Sequence, residues 1–432
     1  MPHYIVQKSI LKGTITIPPS KSQTLRALLF GLLGKGKTTV HHYLHSPDTS
    51  AMVAACRLLG AQVIQTHDSI EIDGLDGNVQ GGENIIDAGN SGLVLRFISA
   101  AASLSSQPIV ITGDESIRFN RPMQPLLEAI TDLGATAVST RGNGYAPLII
   151  KGKILPGKVR IYGEDSQPVS SLLIATAFAN GPSEIEVINP GEKPWVALTL
   201  SWLERLGIAC RHSDFTHYQV SGHASYNGFD YTVPGDLSSV AFPIAAAVLT
   251  NSEITIQNVD LSDLQGDKQF ISVLQAMGAK IEVDAVQKQL HIKKNDGQLT
   301  GLSLNINDYI DSIAILAVIG CFAEGETHLR NAAIARKKEC DRIFCLALEL
   351  KKMGADIIEL EDGLIIRRSQ LKSAHLHSHR DHRMAMALSV AALAAEGSKG
   401  ESRIDGVECV GKTYPGFAEH FRMLGANLQY IE

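Results

Sequence analysis

The sequence predicts a mixed α/β fold with two lobes, each built from three copies of one αβαββ unit. The chain has 432 residues, too many for one ordinary hydrophobic core, and 44% of them are hydrophobic, which is enough to fill more than one. Two kinds of landmark, one at helix ends and one at helix starts, each recur six times at nearly constant spacing. Length, helix ends and helix starts together indicate this architecture.

The first landmark is a glycine that follows an apolar residue and usually precedes alanine, as in LLGAQV and MLGANLQY. Glycine suits the position just after a helix end, where the backbone turns left-handed. A short β-like run follows each one. The six glycines, 71 to 76 residues apart, are Gly60, Gly134, Gly207, Gly278, Gly354 and Gly425.

The second landmark is a residue of helix-capping type before a stretch rich in Ala, Leu and Ile, such as SKSQTLRALLFGLL or DHRMAMALSVAALA. Ser, Asn and Asp side chains accept hydrogen bonds from first-turn amides. The six residues, 70 to 76 apart, are Ser20, Asn90, Ser166, Asp236, Asp311 and Asp381. Between the landmarks each repeat reads as helix, strand, loop, second helix and two strands.

Six such units could close into a ring, stack as a solenoid or divide into two lobes of three. Units of roughly 72 residues are large for a solenoid, whereas three of them make a domain of ordinary size. Proline-containing breaks at residues 18–19 and 233–235 bound the first three units. The predicted lobes are therefore 20–233 and 1–19 plus 234–432, with the N-terminal strand pairing in the second lobe.

Composition excludes several classes of protein. A formal net charge of −6 argues against non-specific nucleic-acid binding and against a membrane-surface protein, because both need a basic field. The longest apolar runs, such as IAILAVIGCFA, are shorter than the ~18 residues of a membrane span. The N-terminal residues lack a signal-peptide core. The six cysteines form no CxxC pair and no metal-ligand spacing, which is typical of reduced thiols in a cytoplasmic protein without a metal site.

Positively charged residues crowd the predicted helix starts and the loops beside them. If the capped helices of a lobe run parallel, their positive N-terminal ends and these side chains face one interdomain cleft and form an anion trap. The cations are Lys21, Arg26, Arg96, Arg121, Lys338, Arg342, Arg383 and Lys412. The chain has no GxxxxGK[ST] motif and no strand that leads into GxGxxG. The pattern therefore favours a small, multiply anionic ligand.

Each candidate residue also has a purely structural interpretation. Asp311 could act only as a helix cap, and His382 could be a surface histidine. Lys338, Glu339 and Arg342 could form an exposed helical set of opposite charges. Their equivalent places in the repeat favour a site, because a solvated face has no reason to follow the repeat.

The order and spacing of nine short motifs resemble one known family. They are PPSKSQTLRA, GNSGLVLRF, NRPM, DSQPVSSLL, PGDLSS, LQGDK, RKKECDR, DHRMAMAL and KTYPGF. Together they span the chain, which is similar to the 5-enolpyruvylshikimate-3-phosphate synthases. The resemblance implies six βαβαββ units in two lobes, each like an inverse α/β barrel, that close over the substrates.

The resemblance also implies an activity. The enolpyruvyl group of phosphoenolpyruvate would move to the 5-hydroxyl of shikimate 3-phosphate, without a cofactor, through a tetrahedral intermediate that then loses phosphate. This chemistry needs a base for the hydroxyl, an acid for the methylene carbon, and cations around phosphate and carboxylate groups. Lobe 20–233 would bind shikimate 3-phosphate, and the other lobe would bind phosphoenolpyruvate and supply the catalytic carboxylates.

The family's roles fall on matching positions of this sequence. Asp311 would be the base and Glu339 the acid, and Lys21 would contact both substrates and could share the proton transfers. The residues implied for shikimate 3-phosphate are Lys21, Ser22, Arg26, Ser166, Gln167, Asp311 and Lys338. The residues implied for phosphoenolpyruvate are Lys21, Asn90, Gly92, Arg121, Gln167, Arg342, His382, Arg383 and Lys412.

Seven positions depart from the family's pattern, and two of them, Leu93 and Phe97, lie beside Gly92. Asp165 and Glu192 stand where the family usually offers serines to the phosphate of shikimate 3-phosphate. Ile334 replaces an asparagine near the carbocycle. Cys340 stands where the family has Ser or Thr, and Arg380 stands where it has a small polar residue. The resemblance alone leaves open how the phosphate is held.

One rival is the enolpyruvyl transferase that acts on UDP-N-acetylglucosamine, which shares the fold. It resembles this chain less, because it has Lys-Asn where this chain has Lys21-Ser22. It also has a loop cysteine near the reacting carbon, whereas this chain has no cysteine between Cys56 and Cys210.

A second rival is a non-catalytic repeat scaffold that binds anionic partners. Such a scaffold would tolerate neutral residues at positions 311 and 339, and both carboxylates are present. We therefore expect a monomeric enzyme with two small-molecule substrates, no cofactor, and no nucleic-acid or membrane partner.

Overall fold

The structure is a computed structural model that describes residues 2–81, 83–295, 297–395 and 400–432. Its strands are β1 (His3–Val6), β2 (Lys12–Thr16), β3 (Lys35–His41), β4 (Gln62–Gln65), β5 (Ser69–Leu75), β6 (Ile86–Asp87), β7 (Ile109–Thr112), β8 (Thr136–Ser139), β9 (Leu148–Lys151), β10 (Lys158–Tyr162), β11 (Ser183–Ile188), β12 (Cys210–Ser213), β13 (His217–Val220), β14 (Asp230–Thr232), β15 (Glu253–Gln257), β16 (Ile281–Asp284), β17 (Gln289–Ile292), β18 (Ser303–Asn305), β19 (Glu326–Arg330), β20 (Asp356–Leu360), β21 (Gly363–Arg367), β22 (His375–His377), β23 (Ser402–Asp405) and β24 (Leu428–Ile431).

The α-helices are α1 (Lys21–Leu33), α2 (Pro47–Leu58), α3 (Gly92–Ala102), α4 (Glu115–Phe119), α5 (Gln124–Asp132), α6 (Ser166–Ala177), α7 (Lys193–Arg205), α8 (Leu237–Leu249), α9 (Gln269–Ala276), α10 (Ile313–Gly320), α11 (Arg342–Lys352), α12 (His382–Ala394) and α13 (Phe417–Met423). Short 3₁₀ segments cover Gly266–Lys268, Asn307–Ser312, Ala333–Lys337 and Val407–Lys412. Within the described ranges, no helix combines the length and apolar character needed to cross a bilayer.

The chain forms two compact units, each with its own hydrophobic core. The contiguous unit is Pro19–Val233, and the split unit is Met1–Pro18 together with Pro234–Glu432. The sheets of the contiguous unit have the strand orders β14-β3-β5-β4, β6-β7-β9-β8 and β10-β11-β13-β12. Those of the split unit are β16-β17-β15-β2, β18-β19-β21-β20 and β22-β23-β1-β24.

All six sheets share one pattern, a parallel pair of strands followed by two further strands that pair antiparallel. In the third repeat, for example, Val159 of β10 lies opposite Ile185 of the parallel strand β11, and Ile185 lies opposite Tyr218 of the antiparallel strand β13. The sequence of β10, KVRIY, alternates apolar and polar residues, so Val159 and Ile161 face the core. The prediction of six βαβαββ units in a mixed α/β fold is confirmed.

Three repeats take a strand from a distant part of the chain. Strand β14 ends the contiguous unit but pairs in parallel with β3, near its start. Strand β2 pairs in parallel with β15, and β1 lies between β23 and β24. Both N-terminal strands therefore belong to sheets of the split unit.

The first helix of each repeat is a core element. Every residue of α3, α10 and α12 is buried, since their sequences are mostly small and apolar and offer no continuous polar face. These helices also contain a few charged residues near their starts, such as Arg96 in α3 and Arg383 in α12. Both arginines are buried. Burial of a guanidinium requires specific partners, and these are described below for each unit.

The glycine landmarks behave as predicted. Each of the six glycines lies two residues beyond the end of the second helix of its repeat. All six have positive φ angles, between 71° and 108°, a region that residues with a side chain rarely adopt.

The helix-start landmarks differ from the prediction in detail. Ser20, Asp236 and Asp381 do cap their helices with their side chains. In α3 and α6 the cap is one residue away from the predicted position, at Ser91 and Asp165. The landmark Asp311 is not a cap. The 3₁₀ segment Asn307–Ser312 runs into α10, and no side chain caps that helix. Asp311 lies inside this segment.

Candidate active site

In the contiguous unit, α1 begins with Lys21 and carries Arg26 one turn later. The Lys21 ammonium lies 3.6 Å from Asp48 Oδ2, and the Lys21 side chain remains 17% exposed. Arg26 is buried: its Nη1 donates to Ser22 Oγ at 2.7 Å, and its Nη2 donates to the carbonyl of Trp195 at 3.1 Å. Ser22 and Arg26 are therefore held as one preorganised pair, and Lys21 is the more exposed cation beside it.

Arg96 connects the starts of α3 and α6. Its Nη1 donates to Gln167 Oε1 at 3.0 Å, and its Nη2 lies 2.9 Å from Asp165 Oδ2. A Cβ atom on Gly92 would lie 2.8 Å from Arg96 Nη1 and 3.4 Å from Arg121 Nη1. Glycine at position 92 thus lets two guanidinium groups approach the backbone closely, which concentrates positive charge at the start of α3.

Two departures from the family's pattern have structural roles. The amide and hydroxyl of Ser166 both donate to Glu192 Oε2, each at 3.0 Å, and Glu192 is buried. Asp165 caps α6 by accepting from the amide of Gln167 at 3.0 Å. Asn90 donates to Asp114 Oδ2 at 2.7 Å, which fixes the turn before α3.

In the split unit, Asp311 is bound by two arginines. Its Oδ1 accepts from Arg342 Nη1 and its Oδ2 from Arg383 Nη2, both at 2.8 Å. The same Arg383 nitrogen donates to Ser238 Oγ at 3.1 Å, and that hydroxyl donates to Asp236 Oδ1. Because α10 needs no side-chain cap from Asp311, both carboxylate oxygens are available to these cations.

Arg342, at the start of α11, joins Asp311 to a second carboxylate. Its Nη2 donates to Glu339 Oε2 at 2.9 Å, and its Nε donates to Asp381 Oδ2 at 2.7 Å. Lys412 donates to Glu339 Oε1 at 2.7 Å, and His382 Nδ1 lies 4.0 Å from that same oxygen. Arg342 is 1% exposed and Glu339 is 8% exposed, so water screens these interactions little.

The cations determine the charge of Asp311. Burial acts to raise its pKa, but Arg383, Arg342 and Lys338 outweigh burial and hold the pKa well below its usual range. Asp311 is therefore an ionised carboxylate at neutral pH.

Asp267 is a further carboxyl group beside this network. It is 1% exposed, and Ser312 Oγ donates to its Oδ1 at 3.5 Å. Within the described part of the chain, its Oδ2 has no hydrogen-bond partner. Burial and the charge of Asp311, with a smaller contribution from Asp236, raise the pKa of Asp267 to about 8. Asp267 is thus a neutral acid at pH 7, next to an ionised one.

One group of donor atoms has the composition of a metal site. Oxygens of Glu339 and Asp381 and a ring nitrogen of His382 lie within 4.8 Å of one another and are buried. Both carboxylates already pair with cations, Glu339 with Lys412 and Asp381 with Arg342. A divalent ion here would be repelled by those cations unless they moved, so the site's composition favours anions.

The predicted residues of the split unit form one cluster: Asp311, Lys338, Glu339, Arg342, His382, Arg383 and Lys412. Those of the contiguous unit lie at the starts of α1, α3 and α6 and in the loop before α5: Lys21, Ser22, Arg26, Asn90, Gly92, Arg121, Ser166 and Gln167. Sequence reasoning did not assign Asp48, Asp236 or Asp267 to either cluster. Asp236 was noted only as a helix start, and Asp267 only as part of the LQGDK motif.

Comparisons with known proteins point to one family. A family model described as EPSP synthase (3-phosphoshikimate 1-carboxyvinyltransferase) matches residues 5–421. A 3-phosphoshikimate 1-carboxyvinyltransferase of Acetivibrio thermocellus is 42% identical, with 99% of each chain covered. One from Methanocaldococcus jannaschii is 41% identical, with 97% of each chain covered.

Solved structures show the same architecture. An EPSP synthase from Acinetobacter baumannii superposes over 100% of both chains with a TM-score of 0.83 and 26% identity. The enolpyruvyl transferase NikO from Streptomyces tendae is 17% identical, with a TM-score of 0.79 over 100% of this chain and 99% of that one, and this likeness concerns the fold alone. Because the family model and the full-length relatives cover nearly the whole chain, the chain belongs to the EPSP synthase family, the 3-phosphoshikimate 1-carboxyvinyltransferases.

Proposed function

We propose a division of labour between the two units for the reaction of this family. The reaction transfers the enolpyruvyl group of phosphoenolpyruvate to the 5-hydroxyl of shikimate 3-phosphate and releases phosphate, a step of the shikimate pathway. The contiguous unit binds shikimate 3-phosphate, and the split unit supplies the catalytic carboxylates and most of the cations for phosphoenolpyruvate. The single observation that carries this proposal is the network that joins Asp311 and Glu339 through Arg342.

Asp311 is the proposed base for the 5-hydroxyl. Alone it is too weak a base, because Arg342 and Arg383 hold its pKa low. An anionic phosphate or carboxylate beside those arginines would offset their charge and raise the pKa of Asp311 toward that of a useful base. On this proposal the base is activated only when the second substrate is bound.

Glu339 is the proposed acid for the methylene carbon. It is buried between Lys412 and Arg342, which favour its ionised form. When an anion draws these cations toward itself, the carboxyl holds a proton more readily and can donate it. The proposed contacts of phosphoenolpyruvate are Lys21, Asn90, Gly92, Arg121, Gln167, Arg342, His382, Arg383 and Lys412.

Shikimate 3-phosphate is proposed to bind at Lys21, Ser22, Arg26, Ser166, Gln167, Asp311 and Lys338. Arg26 is locked by Trp195 and orients the Ser22 hydroxyl, which lowers the entropy cost of binding. Since Glu192 occupies both donors of Ser166, the Ser166 contact forms only if the substrate displaces that carboxylate. Lys21 is therefore the main proposed cation for this phosphate.

The acceptor specificity is tested by coupled phosphate release. The purified chain is mixed with phosphoenolpyruvate and either shikimate 3-phosphate or UDP-N-acetylglucosamine. We expect turnover with the first acceptor only. Turnover with the UDP-sugar, or no phosphate release with shikimate 3-phosphate, would overturn the assignment.

The role of Glu339 is tested by Glu339→Gln, which keeps the shape and removes the acid. We expect a fall in kcat of at least ~10²-fold, with a smaller change in KM. Glu349→Gln is a matched control, because Glu349 is a buried glutamate of α11 outside the cluster. Equal rates for the wild type and Glu339→Gln would remove Glu339 from the mechanism.

We also propose that the chain acts as a monomer in the cytoplasm. The six cysteines are free thiols, which is typical of reducing compartments. Light scattering on a size-exclusion column should give the mass of one chain, with and without substrates. A dimer mass in either condition would contradict this proposal.

A further inference from the structure

The residue that precedes α7 places its carboxylate at the start of a different helix. Glu192 is the cap residue of α7, but its side chain makes no cap hydrogen bond to that helix. Its Oε2 instead accepts from the amide and from the hydroxyl of Ser166, the first residue of α6, both at 3.0 Å. Glu192 is 2% exposed. A buried carboxylate of the protein thus takes both donors that Ser166 offers.

The backbone of Glu192 is held in an unusual conformation. Its φ angle is 46°, in the left-handed region that a residue with a side chain adopts only where the surrounding structure imposes it. The amide of Gly191 donates to the carbonyl of Gly163 at 2.9 Å, and a Cβ atom on Gly191 would lie 2.6 Å from the carbonyl oxygen of Glu164. The turn that carries Glu192 is therefore packed directly on the turn that leads into α6.

The first turn of α7 is held on its other side by Arg26. The amide of Trp195 donates to the carbonyl of Glu192 at 3.0 Å, and the carbonyl of Trp195 accepts from Arg26 Nη2 at 3.1 Å. Arg26 Nε also donates to Thr199, one turn further along α7, at 3.1 Å. A backbone shift that moved Glu192 away from α6 would break these contacts of Arg26. Rotation of the side chain is the remaining way to remove the carboxylate.

A second carboxylate lies at the same helix start. Asp165 accepts from the amide of Gln167 at 3.0 Å, and its Oδ2 lies 2.9 Å from Arg96 Nη2. The amides of Ser166 and Gln167 therefore both donate to carboxylates of the protein. Amides at a helix start are the groups that bind phosphate in many proteins. At α6, two of them already have an anionic partner.

A phosphate at this helix start would compete with Glu192. If the carboxylate stayed in place, two negative charges would lie close together and repel each other. If it rotated away, it would lose both hydrogen bonds to Ser166, which is costly for a buried charge. A neutral hydroxyl avoids both penalties, because it can donate to Glu192.

We propose that Glu192 determines acceptor specificity, by lowering the selectivity of the chain for a phosphorylated acceptor. Shikimate, which has a hydroxyl in place of the phosphate, would then be a second substrate. This inference rests on the proposed function, which places the acceptor at Ser166 and Gln167. The chemistry is unchanged: the 5-oxygen bonds to the carbon of phosphoenolpyruvate that carries the phosphate, the bond from that carbon to the phosphate oxygen breaks, and phosphate leaves with the proton of the 5-hydroxyl.

The test measures the acceptor preference, which is kcat/KM for shikimate 3-phosphate divided by kcat/KM for shikimate, at saturating phosphoenolpyruvate. A site built to hydrogen-bond a substrate group rejects the analogue without it by ~10⁴–10⁵-fold, and we expect a wild-type preference below ~10³. Glu192→Ser should raise the preference at least ~10-fold, mainly by lowering the KM for shikimate 3-phosphate. An unchanged or lower preference in this variant would overturn the proposal.

Two further variants separate charge from packing. Glu192→Gln keeps the shape and an oxygen that can accept from Ser166, so we expect its preference to lie between those of the wild type and Glu192→Ser. Glu184→Ser is the control, because Glu184 of β11 is a half-exposed glutamate of the same unit that pairs with Lys158; its preference should equal that of the wild type. If Glu192→Ser does not fold, Glu192→Gln decides, and a wild-type preference in Glu192→Gln would overturn the proposal.

Binding without turnover separates this inference from the proposed function. Calorimetry without phosphoenolpyruvate gives the Kd of each acceptor. The ratio of the Kd for shikimate to the Kd for shikimate 3-phosphate should rise at least ~10-fold in Glu192→Ser. If the ratio rises but neither acceptor supports phosphate release, the proposed function fails and the role of Glu192 stands. If shikimate 3-phosphate turns over and the ratio does not rise, the role of Glu192 alone is wrong.

Discussion

The starts of α10 and α12 are equivalent positions of the repeat that do different work. At α12, Asp381 caps the helix by accepting from the amide of Arg383 at 2.8 Å, and it also binds Arg342. At α10, a 3₁₀ segment replaces the capped start, and Asp311 gives both oxygens to arginine side chains. The same residue type is thus a structural cap in one repeat and a proposed base in the next.

On the proposed assignment of Asp311, the difference shows how one repeat can hold a base where another holds a helix cap. When an aspartate caps a helix, one of its carboxylate oxygens accepts hydrogen bonds from backbone amides. Removing the aspartate leaves those amides without a partner. Where the helix start is rebuilt without a cap, the carboxylate is released for chemistry. Stability and activity should therefore respond in opposite order to mutation of Asp381 and Asp311.

The largest effect on stability is expected for Asp381→Ala. The change removes the cap of α12 and one of the buried carboxylate partners of Arg342, so we expect the free energy of unfolding to fall by about 3–5 kcal/mol. Urea titration of the split unit's transition measures it. Asp381→Asn, which can still cap, should lose less. A loss below about 1 kcal/mol for Asp381→Ala would contradict this view of the α12 start.

Asp311→Asn should impair activity more than it impairs stability. We expect kcat to fall at least ~10²-fold, equivalent to about 2.7 kcal/mol of activation free energy, while the free energy of unfolding falls by less than in Asp381→Ala. Steady-state phosphate release and the same urea titration give both values. If Asp311→Asn were the more destabilising of the two, the contrast between the helix starts would be wrong.

Asp267→Asn tests the neutral acid beside Asp311. Because the pKa of Asp267 is raised to about 8 in the fold, its neutral form stabilises the protein fully below the unfolded pKa of about 3.9. That contribution is lost as the pH rises toward and through about 8. Asparagine does not titrate, so we expect the variant to gain about 2 kcal/mol relative to wild type between pH 6 and pH 8. A difference that does not change with pH would show that Asp267 is ionised throughout.

The smallest effects compare two helix-start serines. Ser20 accepts from the amide of Gln23 and caps α1, whereas Ser312 makes no side-chain cap at α10. We expect Ser20→Ala to cost about 1 kcal/mol and Ser312→Ala to cost clearly less. Equal costs in thermal unfolding would indicate that Ser312 stabilises α10 in another way.

The parts of the fold that local signals determine were predictable from the sequence. The glycine after a helix end is recognised from a local requirement, a left-handed backbone at that one residue. All six of these glycines were therefore predicted correctly. Capping was predicted within one residue in five repeats, because Ser, Asp and Asn all suit neighbouring positions and the sequence alone does not choose between Ser91 and Asn90.

The site network depends on long-range packing. Arg342 and Glu339 are three residues apart, but Arg342 meets Asp311 and Asp381 across 31 and 39 residues, and Lys412 meets Glu339 across 73. Motif resemblance assigned these residues to a site but could not give their pairing. Asp267 was missed because its protonation depends on charges that the fold brings to it.

The path of the chain through the two units has a consequence for synthesis. The contiguous unit has all its strands once Thr232 has left the ribosome, whereas β1 waits for β23 and β24, at residues 402–431. The nascent protein can therefore complete one domain while its N-terminal strand β1 stays unpaired, exposed to chaperones and proteases for almost all of the remaining translation.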